Sequence, residues 1–265
     1  MAYGIVVQFH FTGRAIYYLI AVLSLLAALV SPLDELSDYY LFSAHMVQHL
    51  LLVLVFPPCF LLGIPPRVWK RLLKWEPARR VERVLSIPLL AWFIGVGSMW
   101  LWHLPPLYNA ALASETVHIL EHLTLMVAAV IFWWVVLAPS KYRRLQPFAS
   151  MVYLFPASVF TAVLGILLTF WPDVLYPAYL HPVDKLQLLS LIRDQWGISA
   201  KADQSVGGAL MWSLGGLAYL GGMLGMLARW YKEQEADYQQ MVEEEYATTT
   251  NGKLRTGALA PREEA

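Results

Sequence analysis

Cysteine is nearly absent. Cys59 is the only one in 265 residues, which excludes an intrachain disulfide and a disulfide-stapled secreted module. Charge is scarce too: Asp, Glu, Lys and Arg make up 14% of the chain, where a soluble domain carries about 25%. In their place the chain is 58% hydrophobic and 14% aromatic, which excludes a disordered chain and a coiled coil. Neither a phosphate-binding loop nor a dinucleotide fingerprint occurs, and no nucleic-acid partner is expected. Basic and acidic residues balance at 19 each, so net charge is silent and only their placement informs. The class that remains is a polytopic membrane protein in contact with lipid.

Six runs are free of Asp, Glu, Lys and Arg: Ala15–Leu33, Tyr39–Pro66, Val84–Ser114, His122–Ser140, Leu145–Pro172 and Gln204–Ala228. Crossing the hydrocarbon core takes a helix of about 20 apolar residues. Each run supplies one span and none supplies two. The runs are continuous rather than alternating, so the expected fold is all-α, a bundle of six transmembrane helices rather than a barrel. Basic residues fix the orientation, because Lys and Arg concentrate in cytoplasmic loops. Arg14, the seven basic residues between Arg67 and Arg83, then Lys141, Arg143, Arg144, Arg229 and Lys232 all fall on one side. The other side has Lys185, Arg193 and Lys201 among eight carboxylates. Both termini are therefore expected in the cytoplasm of a bacterial cell, with the chain in its plasma membrane.

Residues 1–13 form a short apolar segment without the basic start or cleavage site of a signal peptide; it either lies along the interface or extends the first span. Residues 14–232 are expected to form the six-span domain, and residues 233–265 a cytoplasmic, disordered tail. The outer loop 173–203 is expected to carry a short helix on the membrane surface, because Leu188, Leu189, Ile192 and Trp196 recur at helical spacing behind a cap at Asp184. Pro57 and Pro58 predict a kink in the second span. Gly221 and Gly225 form a G-x-x-x-G pair that permits close helix approach.

The histidines carry the chemistry. His45, His49, His103, His118, His122 and His181 all fall near the outer ends of their segments, and only His10 lies elsewhere. His45 and His49 stand four apart, as do His118 and His122, so each pair shares a helix face. Two such pairs with His103 suit one or two metal ions, because imidazole binds copper, zinc, iron and nickel and ionisable groups inside a membrane are costly without a role. His10 and His181 read as interfacial hydrogen-bonding residues. Glu121 either supports an imidazole and a nearby cation or is a carboxylate favoured near a helix N-terminus. Asp203 reads as a helix cap or a supporting group. Met99, Met126 and Met211 lie one turn deeper, where thioethers favour Cu(I) or simply fill gaps.

Four segments carry a family resemblance: His45-Met-Val-Gln-His49 with Gly63-Ile-Pro65; Trp102-His103-Leu-Pro105 followed by Tyr108; His118-Ile-Leu-Glu121-His122 leading to Phe132-Trp133; and Asp203-Gln204 with Gly208 and Met211-Trp212. Over roughly Arg14 to Arg229 the sequence resembles the CtaG family of assembly factors for caa-type cytochrome c oxidase. The resemblance implies a non-enzymatic role in maturing a haem–copper oxidase, with oxidase subunits as partners and His45, His49, His103, His118 and His122 as the family's histidine positions. Family members look like seven-span proteins, whereas six spans are found here, and Asp184–Gln195 looks like an insertion. The leading expectation is a copper-binding assembly factor with its histidine cluster at the outer face. Three alternatives stand beside it: a zinc peptidase using the H-x-x-E-H form of His118–His122, a b-type cytochrome subunit, and a purely structural histidine seal.

Overall fold

A computed structural model describes the backbone of residues 2–138 and 144–257, and the side chains of residues 13–138 and 144–246. The side chain of His10, the basic residues Lys141 and Arg143, and the last eight residues of the tail lie outside this description. Among the described residues the chain is all-helical, without strands. Four helical segments are long and apolar enough to cross a membrane: Phe42–Gly63, Glu115–Leu137, Pro147–Phe170 and Ala200–Tyr246. Two bent pairs, Gly13–Leu29 with Pro32–Tyr39 and Glu76–Leu85 with Pro88–Trp102, turn by 45° and 77°; counting each as one span makes six.

Proline places the breaks. Helix α1 (Ala2–Leu29) is one uninterrupted helix that takes in most of the short N-terminal segment. Pro32 starts α2 (Pro32–Tyr39), where Ser31 Oγ accepts from the Leu33 amide. The second span consists of α3 (Phe42–Leu50), a π-helical turn at Leu51–Val55 and α4 (Phe56–Gly63). The turn answers the prolines that follow it. Pro57 and Pro58 have no N–H to give to the carbonyls of Val53 and Leu54. The Trp133 indole N–H supplies the Val53 carbonyl instead, at 3.3 Å. The expected kink is thus a widened turn within one span.

Amphipathic α5 (Pro66–Leu72) and α6 (Glu76–Leu85) carry the basic cluster. The third apolar run, expected as one span, forms two helices. α7 (Pro88–Trp102) stops before Pro105-Pro106, which open α8 (Pro105–Ala113), because a residue preceding proline is pushed out of the helical region. α9 (Glu115–Leu137) and α10 (Pro147–Phe170) are full-length. On α10, Phe148, Val152, Phe155, Val159, Val163 and Ile166 are exposed, while Ser150, Leu154, Ala157, Thr161 and Leu168 are buried. A helix apolar on its open face as well as its packed one belongs in lipid.

α11 (Ala200–Gly257) packs along α10 at two glycines. A Cβ on Gly208 would lie 2.5 Å from the Thr169 amide nitrogen, and one on Gly165 would lie 2.8 Å from that of Trp212. Close approach therefore falls here and not at Gly221 and Gly225, whose added Cβ atoms would meet nothing within 4 Å. The tail expected to be disordered continues α11 as helix to Gly257. Residues 229–246 favour this, with Arg229 donating to Glu233 and Gln239 to Glu235 at the i, i+4 spacing that supports exposed helices. At 58 residues the helix is about 87 Å long, far longer than a bilayer core is thick.

The buried interior changes along the bundle. Toward the basic end, Trp133, Phe132, Tyr153, Tyr219, Leu154 and Val136 form an apolar core. Toward the other end the buried residues include His45, Gln48, His49, His103, His118, Glu121, His122, Asp203 and Gln204.

Candidate metal centre

Two helices and one helix end bring the histidines together. α3 presents His45 and His49, α9 presents His118, Glu121 and His122, and His103 follows the last residue of α7. His45, His118, Glu121 and His122 each offer a ligand atom within 4.8 Å of all the others, and all four are buried. Donors about 2.0–2.2 Å from one ion in a tetrahedral site lie roughly 3.3–3.6 Å apart, so the four atoms are near enough for side-chain adjustment to bring them onto one ion. His49 adjoins it: its Nε2 is 2.8 Å from His45 Nε2 and 3.6 Å from Glu121 Oε1. His103 stands beside His49, with ring centroids 5.8 Å apart, and does not belong to the group of four.

Hydrogen bonds orient the rings. His103 Nδ1 lies 2.7 Å from the Met99 carbonyl. A carbonyl only accepts, so Nδ1 carries the proton and Nε2 keeps its lone pair. His118 Nδ1 faces Asp38 Oδ1 at 3.3 Å, the carboxylate–imidazole pairing that fixes metal-ligand histidines. Asp38 is held in place because Gln48 ties α2 to α3. The Gln48 amide N–H donates to Asp34 Oδ1 and the Ala28 carbonyl, and its oxygen accepts from Ser37. Within the group, Nε2 of His118 and His122 and both Glu121 oxygens are buried without a hydrogen-bond partner. Each such group costs about 1–3 kcal/mol if left unsatisfied. A cation among them satisfies several at once, so these residues fit a metal ion.

Asp203 does not join the cluster. Its carboxylate accepts from the Phe42 and Ser43 amides and the Ser43 hydroxyl. It therefore caps α3, the helix that carries His45 and His49, rather than its own helix; Leu41, at the N-cap position, makes no side-chain cap bond. Gly207 lets α11 come this close, since a Cβ there would lie 2.4 Å from the Phe42 ring. Of the three methionines singled out in the sequence, Met99 and Met211 line a small cavity under His49 and His103, joined by Met46. Met126 is half-buried and does not line it. Cys59 sits in α4, and His181 is exposed in the outer loop.

The loop 173–203 covers the cluster. Its helical turns are Pro177–Tyr179 and residues 189–195, the latter where a short helix was expected, with Ile192 buried. Asp184 Oδ1 accepts from the Leu188 and Leu189 amides. Tyr176 donates to the His103 carbonyl and Tyr179 to the Ser37 carbonyl. Tyr108 OH, 3.1 Å from Tyr179 OH, must then donate to it. The Tyr108 ring stacks on Tyr176 at 3.9 Å and stands 5.0 Å from His45. Burial, seconded by the Glu121 carboxylate, pushes the Tyr176 phenol above its ordinary range, and burial does the same to Tyr179. Both remain neutral donors. Sequence reasoning missed Asp38, Met46, Tyr176 and Tyr179. The available signal is the crowding of Tyr176 and Tyr179 with prolines in a loop otherwise read as surface. On the open side of His118, Asp34, Glu35, Asp38, Glu115 and Lys185 border a polar cavity of about 460 Å³.

These features define a class: a helical, multi-span membrane protein with a buried histidine–glutamate group at one end. Residues 7–233 match the family described as cytochrome c oxidase caa3 assembly factor (Caa3_CtaG), and the chain belongs to that family. It is similar to uncharacterized proteins of Mycobacterium leprae, 25% identical over 213 residues, and of Mycobacterium bovis and Mycobacterium tuberculosis, each 25% identical over 209 residues. Each alignment covers 73% of this chain and 30% of the relative, so the chain spans about a third of the length of the curated relatives it matches. No solved structure matches.

Proposed function

We propose that the protein binds copper at the outer face of a bacterial plasma membrane and supports assembly of a haem–copper oxidase, with the oxidase subunits as partners. Family membership supports the assembly role. The observation that carries the copper reading is the group of three buried histidines and a buried glutamate, within 4.8 Å of one another, on two facing helices. His45, His118, His122 and Glu121 hold the ion as cargo. His49 and His103 stand next to it, Asp38 fixes His118, and Asp203 fixes α3. The acidic cavity outside His118 admits cations, because its carboxylates attract them and His118 borders both spaces. The basic residues of α5 and α6 lie in the connection at the opposite ends of α4 and α7, which supports both termini and this connection facing the cytoplasm.

The role is non-enzymatic. In the peptidase reading Glu121 must reach a water and a peptide, yet its side chain is fully buried beneath the tyrosines. A haem needs a mostly apolar pocket of roughly 300–1,000 Å³, while the cavity against His49 and His103 holds about 20 Å³ and the larger one beside His118 is lined by carboxylates. The test is copper content of the detergent-purified protein after exposure to Cu(II) under oxidising conditions. About one copper per chain at the histidine group, lost in H45A/H122A with helicity retained, is the expected result. Equal copper in the folded double variant contradicts the reading.

A further inference from the structure

Beneath the histidine group lies a second constellation of different chemistry. Met46 on α3, Met99 on α7 and Met211 on α11 converge on one enclosed cavity, together with His49 and His103. The cavity holds about 20 Å³, and a single water-sized body needs roughly 10–15 Å³. The remaining lining is Leu50, Val53, Leu54, Leu125 and Thr161, so no carboxylate borders it. The Thr161 hydroxyl points at Met99 Sδ from 3.8 Å. His49 Nδ1 and His103 Nε2 are buried without hydrogen-bond partners, and His103 is held in the tautomer that leaves Nε2 free to ligate. The π-helical turn Leu51–Val55 forms part of this wall, and such turns recur at functional sites.

Methionine often does no more than fill gaps. Here three methionines from three helices, packed in an apolar cluster with Phe42, Leu164 and Leu168, also border one open space, which Met226 in the other apolar cluster does not. Thioether and imidazole without carboxylate favour a soft monovalent ion, whereas imidazole with carboxylate accepts a harder divalent one. We propose that Met46, Met99 and Met211, with His49 and His103, form a second metal site selective for a soft monovalent ion such as Cu(I). The chain then holds two sites of graded softness, stacked one helical turn apart and adjoining at His49. This site is distinct from the histidine–glutamate group and does not require that group to carry copper.

Silver(I) in chloride-free buffer is the probe, because it is soft, monovalent and does not change oxidation state under these conditions. The variant M46L/M99L/M211L conserves volume and so keeps the packing. Relative to wild type it is expected to lose silver affinity by at least about tenfold, while zinc binding at the upper group is unchanged. H118Q/H122Q is expected to do the reverse. Unaltered silver affinity in the folded methionine variant overturns the proposal, as does a wild-type chain that binds no silver. If the methionine variant fails to fold, X-ray absorption of silver-loaded C59S, which lacks the one competing thiol, decides: two or more sulfur neighbours sustain the site, and fewer overturn it. Silver bound through sulfur in a chain that takes up neither zinc nor Cu(II) leaves this site standing and removes the histidine–glutamate reading.

Discussion

The two ends of the bundle bury opposite things. At the basic end Trp133, Phe132, Tyr153 and Tyr219 fill the interior, and the polar tips of Trp133 and Tyr153 donate to the backbone carbonyls of Val53 and Phe132. At the other end five imidazoles and the Glu121 carboxylate are buried, and several of the ring nitrogens and both Glu121 oxygens have no hydrogen-bond partner. The first arrangement stabilises the fold by removing apolar surface, with the indole N–H groups of tryptophans around it, such as Trp69 and Trp92, left without hydrogen-bond partners. The second costs stability unless an ion completes it. The contrast teaches that one end holds the helices together and the other uses that rigidity to keep costly groups converged.

Mutations separate the ends. The largest effect on metal binding is expected from H118A/H122A, which removes two of the four converging ligands; metal analysis of the folded variant should find the divalent ion gone. Next comes D38N, which leaves every ligand in place but loosens His118; isothermal titration should show affinity falling about 10–100-fold with stoichiometry kept. D203A is smaller. It removes the cap of α3 and should cost about 0.5–2 kcal/mol of stability, read as a lower melting temperature, with an affinity change of only a few-fold. W133A should leave metal stoichiometry untouched while costing about 3–5 kcal/mol of stability. A large loss of metal in W133A, or none in H118A/H122A, would erase the difference between the ends. G208A sharpens the same contrast from the helix contact: its Cβ collides with backbone at Thr169, so a loss of about 1–3 kcal/mol is expected with the histidine group intact.

Much of this was legible in the sequence, because lipid imposes a simple rule. Spans must be long, apolar and helical, so the charge-free runs located the helices, and i, i+4 spacing put His45 with His49 and His118 with His122 on shared faces. Spacing along one helix says nothing about rotation against its neighbours. The five histidines therefore left one site and two equally open, whereas the fold groups His45, His118 and His122 with Glu121 and sets His49 between that group and the methionine-lined cavity. Asp203 looked like a cap for its own helix and serves α3 instead, a contact across 160 residues that no local pattern encodes. The tyrosine cover was hidden for the same reason. The division of the third run at Pro105-Pro106 and the widened turn before Pro57-Pro58 follow from proline's missing N–H, whose consequences depend on which neighbour supplies the freed carbonyl. The tail was polar enough to suggest disorder, yet its helix-supporting pairs were also present in the sequence.

The most direct test is copper X-ray absorption of the protein reconstituted in lipid and loaded with one equivalent of Cu(II), in wild type and in H45A/H122A. The expected spectrum shows nitrogen and oxygen neighbours with the outer-shell scattering of imidazole in the wild type, and no bound copper in the variant. Stoichiometric copper with an unchanged spectrum in both proteins would contradict the assignment of the histidine–glutamate group as the site that holds the metal.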